Sequence, residues 1–238
     1  MDKDKSHFWL RRLHSLSGVV PVGLFLIQHI YANTLALWGE RVYNEHVEVL
    51  LEQPMLMALE LGGVMLPLAF HAALGVWFMM ESRFNTAKYA YSRNWMYTLQ
   101  RVTAWMTLVY VTVHLFQTRF AFSEEQKWSM YQTMQSLFQH NRVWLPILYG
   151  VGVVAASFHL CNGIATFCMV WGITVRRETQ QRVWLGCMAL FVAMSVGGVL
   201  SLLPLTGASK PFFGDPVPET HRGFSPTDPY QGGSPYQK

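Results

Sequence analysis

The chain has 238 residues, 51% of them hydrophobic and only 13% charged, about half the ~25% of an ordinary soluble domain. Its net charge of +4 is carried by basic residues that form no dense cluster with interleaved aromatics, so no nucleic-acid partner is expected. The apolar residues fall into five blocks, about 16–37, 56–80, 96–118, 143–172 and 183–205, each near the ~20 residues that cross a hydrocarbon layer as a helix. Blocks of this length without alternation do not suit a membrane barrel, and backbone groups in lipid must pair internally. The expected fold is an all-α integral membrane protein with five transmembrane helices, spans 1–4 forming a four-helix bundle, in one domain over 1–205. A soluble all-α protein with a large core fits such long spans and so few charges poorly.

Span 1 follows Lys3, Lys5, Arg11 and Arg12, a basic start like that of a signal peptide. Its apolar stretch is long and no small-residue cleavage site follows, so a retained span is expected, with Pro21 placed to kink it. The loop 41–52 is amphipathic, with Val42, His46, Val49 and Leu50 on one face, as expected of a helix resting at the lipid boundary. Span 2 carries Glu60 near its outer end, then Pro67, His71 and Gly75. The loop 82–94 is short and basic. Span 3 carries Arg101 and His114, and the loop 127–138 is again amphipathic, through Met130, Met134, Leu137 and Phe138. Span 4 carries Gly152, Ala156, His159 and Gly163, and the loop 176–182 is basic. Cys161, Cys168 and Cys187 lie inside spans and read as small packing residues rather than disulfides. From about 206 to 238 the composition turns to Pro, Gly, Ser and Thr, as in 216–219 and 225–238, which predicts an extended or disordered outer tail or one wrapped over a neighbour.

Lysine and arginine are distributed unevenly between the two sides. With the N-terminus cytoplasmic, the inner side carries Lys3, Lys5, Arg11, Arg12, Arg83, Lys88, Arg93, Arg101, Arg176, Arg177 and Arg182; the outer loops carry Arg41, Arg119, Lys127 and Arg142. This bias predicts an N-terminus inside and, after an odd number of spans, a C-terminus outside. The flat basic inner face suits a docked cytoplasmic partner as well as it suits the positive-inside rule.

Four of the nine histidines, His29, His71, His114 and His159, lie inside spans 1, 2, 3 and 4, one to each. Ionisable residues at membrane depth are costly, and each is a functional candidate by default. One such histidine is ordinarily a neutral residue hydrogen-bonded to a neighbouring helix; four on four successive spans ask for more. Counting to the nearest outer-loop charge gives 11 residues from His29 to Glu40, 5 from His114 to Arg119, 19 from His71 to Glu52 and 17 from His159 to Arg142. At 1.5 Å per residue these become depths of about 16, 8, 28 and 26 Å. His29 and His114 thus form an outer layer, and His71 and His159 an inner one.

In an up-down bundle helices 1 and 3 are diagonal, as are 2 and 4, so each histidine pair can reach the two faces of one flat macrocycle. Iron held by two imidazoles keeps no open position and suits electron transfer, whereas zinc would draw three or four ligands into one small sphere. Two b haems are the expected cofactors. No C-x-x-C-H is present, which excludes covalent c-type attachment. Small residues beside the ligands, Gly75, Gly152, Ala156 and Gly163, would leave room for a porphyrin. Arg12, His14, Ser15 and Arg101 are candidate donors to the inner haem's propionates, although the arginines also suit snorkelling to lipid phosphates. His7, His46, His140 and His221 read as surface or loop residues.

Several ordered motifs then resemble a known family. They are Arg11-Arg12-Leu13-His14-Ser15-Leu16, Pro21-Val22-Gly23, Phe25-Leu26-Ile27-Gln28-His29, Leu66-Pro67 before His71, Tyr91-Ser92-Arg93-Asn94-Trp95, Leu99-Gln100-Arg101-Val102-Thr103, Phe158-His159 with Asn162-Gly163, and Trp171-Gly172-Ile173-Thr174-Val175. Across residues 8–205 the chain resembles the single-chain, di-haem cytochrome b anchor of succinate:menaquinone oxidoreductases. The resemblance implies that all four histidines are axial ligands and that His14 and Ser15 lie at the inner propionates. It also implies a flavoprotein (FAD) and an iron–sulfur protein as cytoplasmic partners, menaquinone as electron acceptor, and a bacterial cytoplasmic membrane. For the quinone, Asn33, Trp38, Glu60, Gln117 and Arg119 are available near the outer layer, with Glu60 the candidate for proton transfer, against its plainer role as an interfacial residue facing water. A fumarate reductase, a cytochrome b serving another dehydrogenase such as a hydrogenase, and a haem-free anchor or transporter are the rival functions.

Overall fold

The computed structural model describes residues 3–82, 88–141 and 143–214, all helix, turn or irregular chain with no strand among them. Arg83, Arg142, His221 and the tail stretches 216–219 and 225–238 lie outside the described residues. Among the described residues, four helical stretches are long and apolar enough to cross a membrane: Asp4–Trp38, Leu56–Met80, Trp144–Val170 and Arg177–Leu205. A further helix, Ser92–Leu115, has 24 residues, a length of ~36 Å, but carries Arg93, Gln100, Arg101 and His114. Its length fits a span while those side chains dilute its hydropathy.

The first stretch is two helices, α1 (Lys3–Val19) and α2 (Pro21–Thr34). The break falls where expected: proline lacks the N–H that would continue the helix and sits at the start of α2. α3 (Glu40–Leu51) follows, on the side predicted to be outer. The second stretch opens with a short α4 (Leu56–Ala58), passes through a π-helical segment Leu59–Met65 and continues as α5 (Leu66–Met80), with Pro67 in its first turn. α6 (Ser92–Leu115) also ends in a π-helical segment, Phe116–Phe120. α7 (Glu124–Trp128) is closed by a capping box in which Ser123 and Gln126 satisfy each other's backbone N–H groups. α8 (Met130–His140), α9 (Trp144–Val170) and α10 (Arg177–Leu205) are the last helices among the described residues.

α1 packs against α5 and α9, and α6 packs against α9 and α5, so these helices form a four-membered ring with the α1–α2 stretch and α6, and α5 and α9, across its diagonals. α10 stands outside that ring, against α9 and α2. Lipid gives helices no hydrophobic reason to associate, so close contact relies on small residues. A Cβ on Gly198 would lie 2.6 Å from Val153, and one on Gly23 2.7 Å from Leu160, which shows how tightly α10 meets α9 and α2 meets α9. Apolar side chains such as Leu24, Leu66, Met80 and Val192 point outward instead of into the chain, as lipid-facing residues do. Cys161 and Cys187 are buried in an apolar cluster with Ile30, Leu160, Ala165 and Met194, as free thiols used for packing.

α3 and α8 pack on each other and, with the adjoining ends of α9 and α10, bury a core of Ala36, Tyr43, Tyr131, Met134, Phe138, Leu145, Tyr149 and Leu205. The inward face of α3 is that of Tyr43 and Val47, while Val49 is exposed. Asn44 ties the two helices, donating to Gln132 at 3.0 Å and accepting from the Tyr131 amide at 3.0 Å. The first residues after α10 fold back: the Phe213 amide donates to the Leu37 carbonyl at 2.9 Å, and its ring lies 4.7 Å from that of Trp38.

Candidate functional site: two histidine pairs on the bundle diagonals

The diagonals bring the four histidines together two by two. The rings of His29 (α2) and His114 (α6) stand 5.8 Å apart between centroids, with an interplanar angle of 68°. Those of His71 (α5) and His159 (α9) stand 6.1 Å apart at 80°. Two imidazoles bonded to opposite faces of one six-coordinate metal through ~2 Å bonds would have ring centres ~6 Å apart. Both pairs match that spacing. Among the described residues no group of three His, Cys, Asp or Glu side chains is placed to hold a metal ion, so each level offers a two-imidazole donor set.

The remaining ring nitrogens show how each imidazole is oriented. His71 Nδ1–H donates to the His14 carbonyl at 2.9 Å, and His159 Nδ1–H donates to the Gln100 carbonyl at 3.1 Å. At the outer level His114 Nδ1–H donates to the Tyr149 hydroxyl oxygen at 3.2 Å, and that hydroxyl donates onward to Gln117 Oε1 at 3.4 Å. A ligating histidine typically gives its second nitrogen to such a partner, which fixes the ring and leaves Nε2 for the metal. His29 is held otherwise: Asn33 donates to its carbonyl at 2.8 Å, with the same amide 3.4 Å from its Nε2. Asn33 Oδ1 in turn accepts from the Tyr43 hydroxyl at 3.2 Å. Burial pushes the Tyr43 phenol well above its ordinary pKa, so it remains a neutral donor.

Around the inner pair the ring of His14 stacks on that of His71 at 4.0 Å and 11°. His14 Nδ1 and Arg12 Nε are buried without a partner, so two groups with hydrogen-bonding capacity are free on the inner side, as an anionic carboxylate of a haem would require. Arg12 is anchored through its Nη2, which donates to the Val170 carbonyl at 3.1 Å. The other two inner candidates are engaged: Ser15 accepts from Trp171 Nε1 at 3.1 Å, and Arg101 lies over the Tyr97 ring at 3.8 Å and bonds its hydroxyl. The small residues hold neighbouring rings closely. A Cβ on Gly18 would lie 2.2 Å from the His71 ring, and one on Gly152 2.2 Å from Tyr110, which stacks on His114.

Residues 83–199 match the model of the succinate dehydrogenase/fumarate reductase transmembrane subunit family. The chain is also 37% identical, over 200 residues, to the succinate dehydrogenase cytochrome b558 subunit of Bacillus subtilis (strain 168), covering 82% of this chain and 95% of that protein. The chain belongs to the succinate dehydrogenase cytochrome b membrane-anchor family.

Of the five residues expected near a quinone in this membrane anchor, two meet. Glu60 Oε2 accepts from Arg119 Nε at 3.2 Å and Nη2 at 2.9 Å, both side chains about one-third exposed. Each sits on one of the π-helical segments, and π-turns are frequent at functional sites. Asn33 and Gln117 belong instead to the hydrogen-bond frame of the outer histidines, and Trp38 packs under Phe213. Sequence reasoning missed the roles of Gln100, Asn162 and Tyr149. Gln100 donates to the His159 carbonyl at 3.0 Å and accepts from Asn162 at 2.8 Å. Amides inside apolar spans were signal enough for that pair. A tyrosine near a span end carries no such mark.

Proposed function

We propose that this chain carries electrons from an iron–sulfur partner on the cytoplasmic side to menaquinone near the outer side, through one b haem on each histidine pair. The observation that supports it most is the pair spacing, 5.8 and 6.1 Å, on both diagonals of one bundle. Haem supplies one-electron exchange without an open coordination position. The protein's share is orientation and exclusion of water: main-chain carbonyls hold the inner imidazoles, side chains hold the outer ones, and a packed core closes the outer end. We take Ser92–Leu115 as the fifth span, with the N-terminus cytoplasmic, the C-terminus outside, and a succinate-oxidising flavoprotein bound with the iron–sulfur protein at the basic inner face. His14 and Arg12 would receive inner haem carboxylates, with Ser15 and Arg101 as neighbours already bonded within the protein.

Pyridine haemochrome measurement tests the haem reading. Two haems per chain are expected, falling by one in each of His29→Ala, His71→Ala, His114→Ala and His159→Ala. One haem in the wild type would make one pair structural.

Reduction of a quinone to a quinol takes two electrons and two protons, and Glu60 is our proton carrier, its carboxylate held in place by Arg119 until it is needed. Glu60→Gln should lower quinone reduction by ~10²-fold while both haems stay in place. Unchanged turnover removes Glu60 from the reaction.

A further inference from the structure

The outer histidine His114 is held by a side chain, and that side chain is itself held by another. Tyr149 lies 11, 35 and 39 residues from the three rings around it, Phe138, His114 and Tyr110, in no regular pattern; what places it is packing. Its ring is buried at 3% exposure between Phe138 at 5.0 Å, Tyr110 at 5.4 Å and His114 at 5.5 Å. Its hydroxyl accepts from His114 Nδ1–H and donates to Gln117, so the three groups form a directed chain, imidazole to phenol to amide. In such a chain each bond polarises the next, and the phenol oxygen becomes a better acceptor because its own proton is drawn towards Gln117.

We infer that Tyr149 is a positioning residue for His114 and, through that histidine, sets the electron affinity of the outer centre. The inference rests on the reading of His114 as a haem ligand. An imidazole whose Nδ1–H is hydrogen-bonded is a more basic ligand, and a more basic ligand favours oxidised over reduced iron. Deleting the phenol oxygen removes that support and also leaves the site less polar. Both changes favour the reduced state, which carries one positive charge fewer. The inner histidines donate to main-chain carbonyls that no side-chain substitution deletes, so the inner centre serves as an internal reference.

The test is a redox titration, followed optically and by electron paramagnetic resonance, of wild type and Tyr149→Phe in membranes containing the whole complex. Phenylalanine keeps the ring and its packing. The expected result is a rise in the outer midpoint that changes its reduced-to-oxidised ratio between roughly threefold and tenfold at fixed potential, ~30 to ~59 mV for one electron, with the inner midpoint unmoved. Gln117→Leu should move the outer midpoint the same way by less, and decides the matter should Tyr149→Phe lose its outer haem. Two haems with both midpoints unmoved, or with both moved together, overturn the inference while leaving the haem reading intact. A wild type without an outer haem overturns the haem reading, and this inference with it.

Discussion

The inner and outer histidine pairs are alike in spacing and unlike in support. At the inner level each imidazole leans on a helix backbone: His71 on the carbonyl of His14, His159 on that of Gln100. At the outer level His114 donates to the side chain of Tyr149 on α9, backed by Gln117, while Asn33 on α2, backed by Tyr43, donates to the His29 carbonyl. A main-chain acceptor moves only if its helix moves, so the inner geometry is fixed by helix packing. A side-chain acceptor can be changed one residue at a time, so the outer geometry is adjustable. The same spacing is thus reached by two physical routes, one tied to the four-helix ring and the other to the cap formed by α3 and α8.

The largest expected difference comes from helix packing itself. In α1, Gly18 faces the ring of His71, and an added methyl would lie 2.2 Å from a ring carbon. That contact is too close for any rotamer adjustment of alanine, so either the ring or the helix must shift, at ~1–3 kcal/mol. Gly18→Ala should therefore lose inner haem selectively, read as a haemochrome value falling from two towards one per chain. The same change at Gly152 meets Tyr110, which backs His114 without being a ligand candidate, and should cost less haem. Equal losses in the two variants would show that the levels do not differ in this way.

Much of this arrangement was legible in the sequence, because helices have a fixed rise and membranes a fixed thickness. Counting residues from His71 and His159 to the outer charges was enough to separate them from His29 and His114, and the diagonal partners followed from the order of the spans. Other features left no trace of that kind. The π-turns around Glu60 and Arg119 shift hydrogen bonds by one residue, which no apolar period records. The third long helix is diluted by Gln100, Arg101 and His114, so length and packing describe it better than hydropathy. In α3 the face of Val42, His46, Val49 and Leu50 was readable, but the packing of Tyr43 and Val47 against α8 was not, because the pattern cannot distinguish lipid from protein side chains.

A smaller effect is expected at Gln100, and its smallness is what makes it informative. Its side chain donates to the His159 carbonyl, with the same amide 3.2 Å from His159 Nδ1, and accepts from Asn162, yet the acceptor of the His159 Nδ1–H is the Gln100 main-chain carbonyl. Gln100→Leu deletes the first two bonds and leaves the third. Two lost hydrogen bonds, with Asn162 left short of an acceptor, should destabilise the bundle by ~1–3 kcal/mol, seen as a lower melting temperature. The inner midpoint should hold, because the ligand's own hydrogen bond survives. The contrast with Tyr149→Phe is direct: there the stabilising packing survives and the ligand's bond is lost. Should Gln100→Leu shift the inner midpoint as far as Tyr149→Phe shifts the outer one, side chains would govern both levels and the division between backbone and side-chain support would fall.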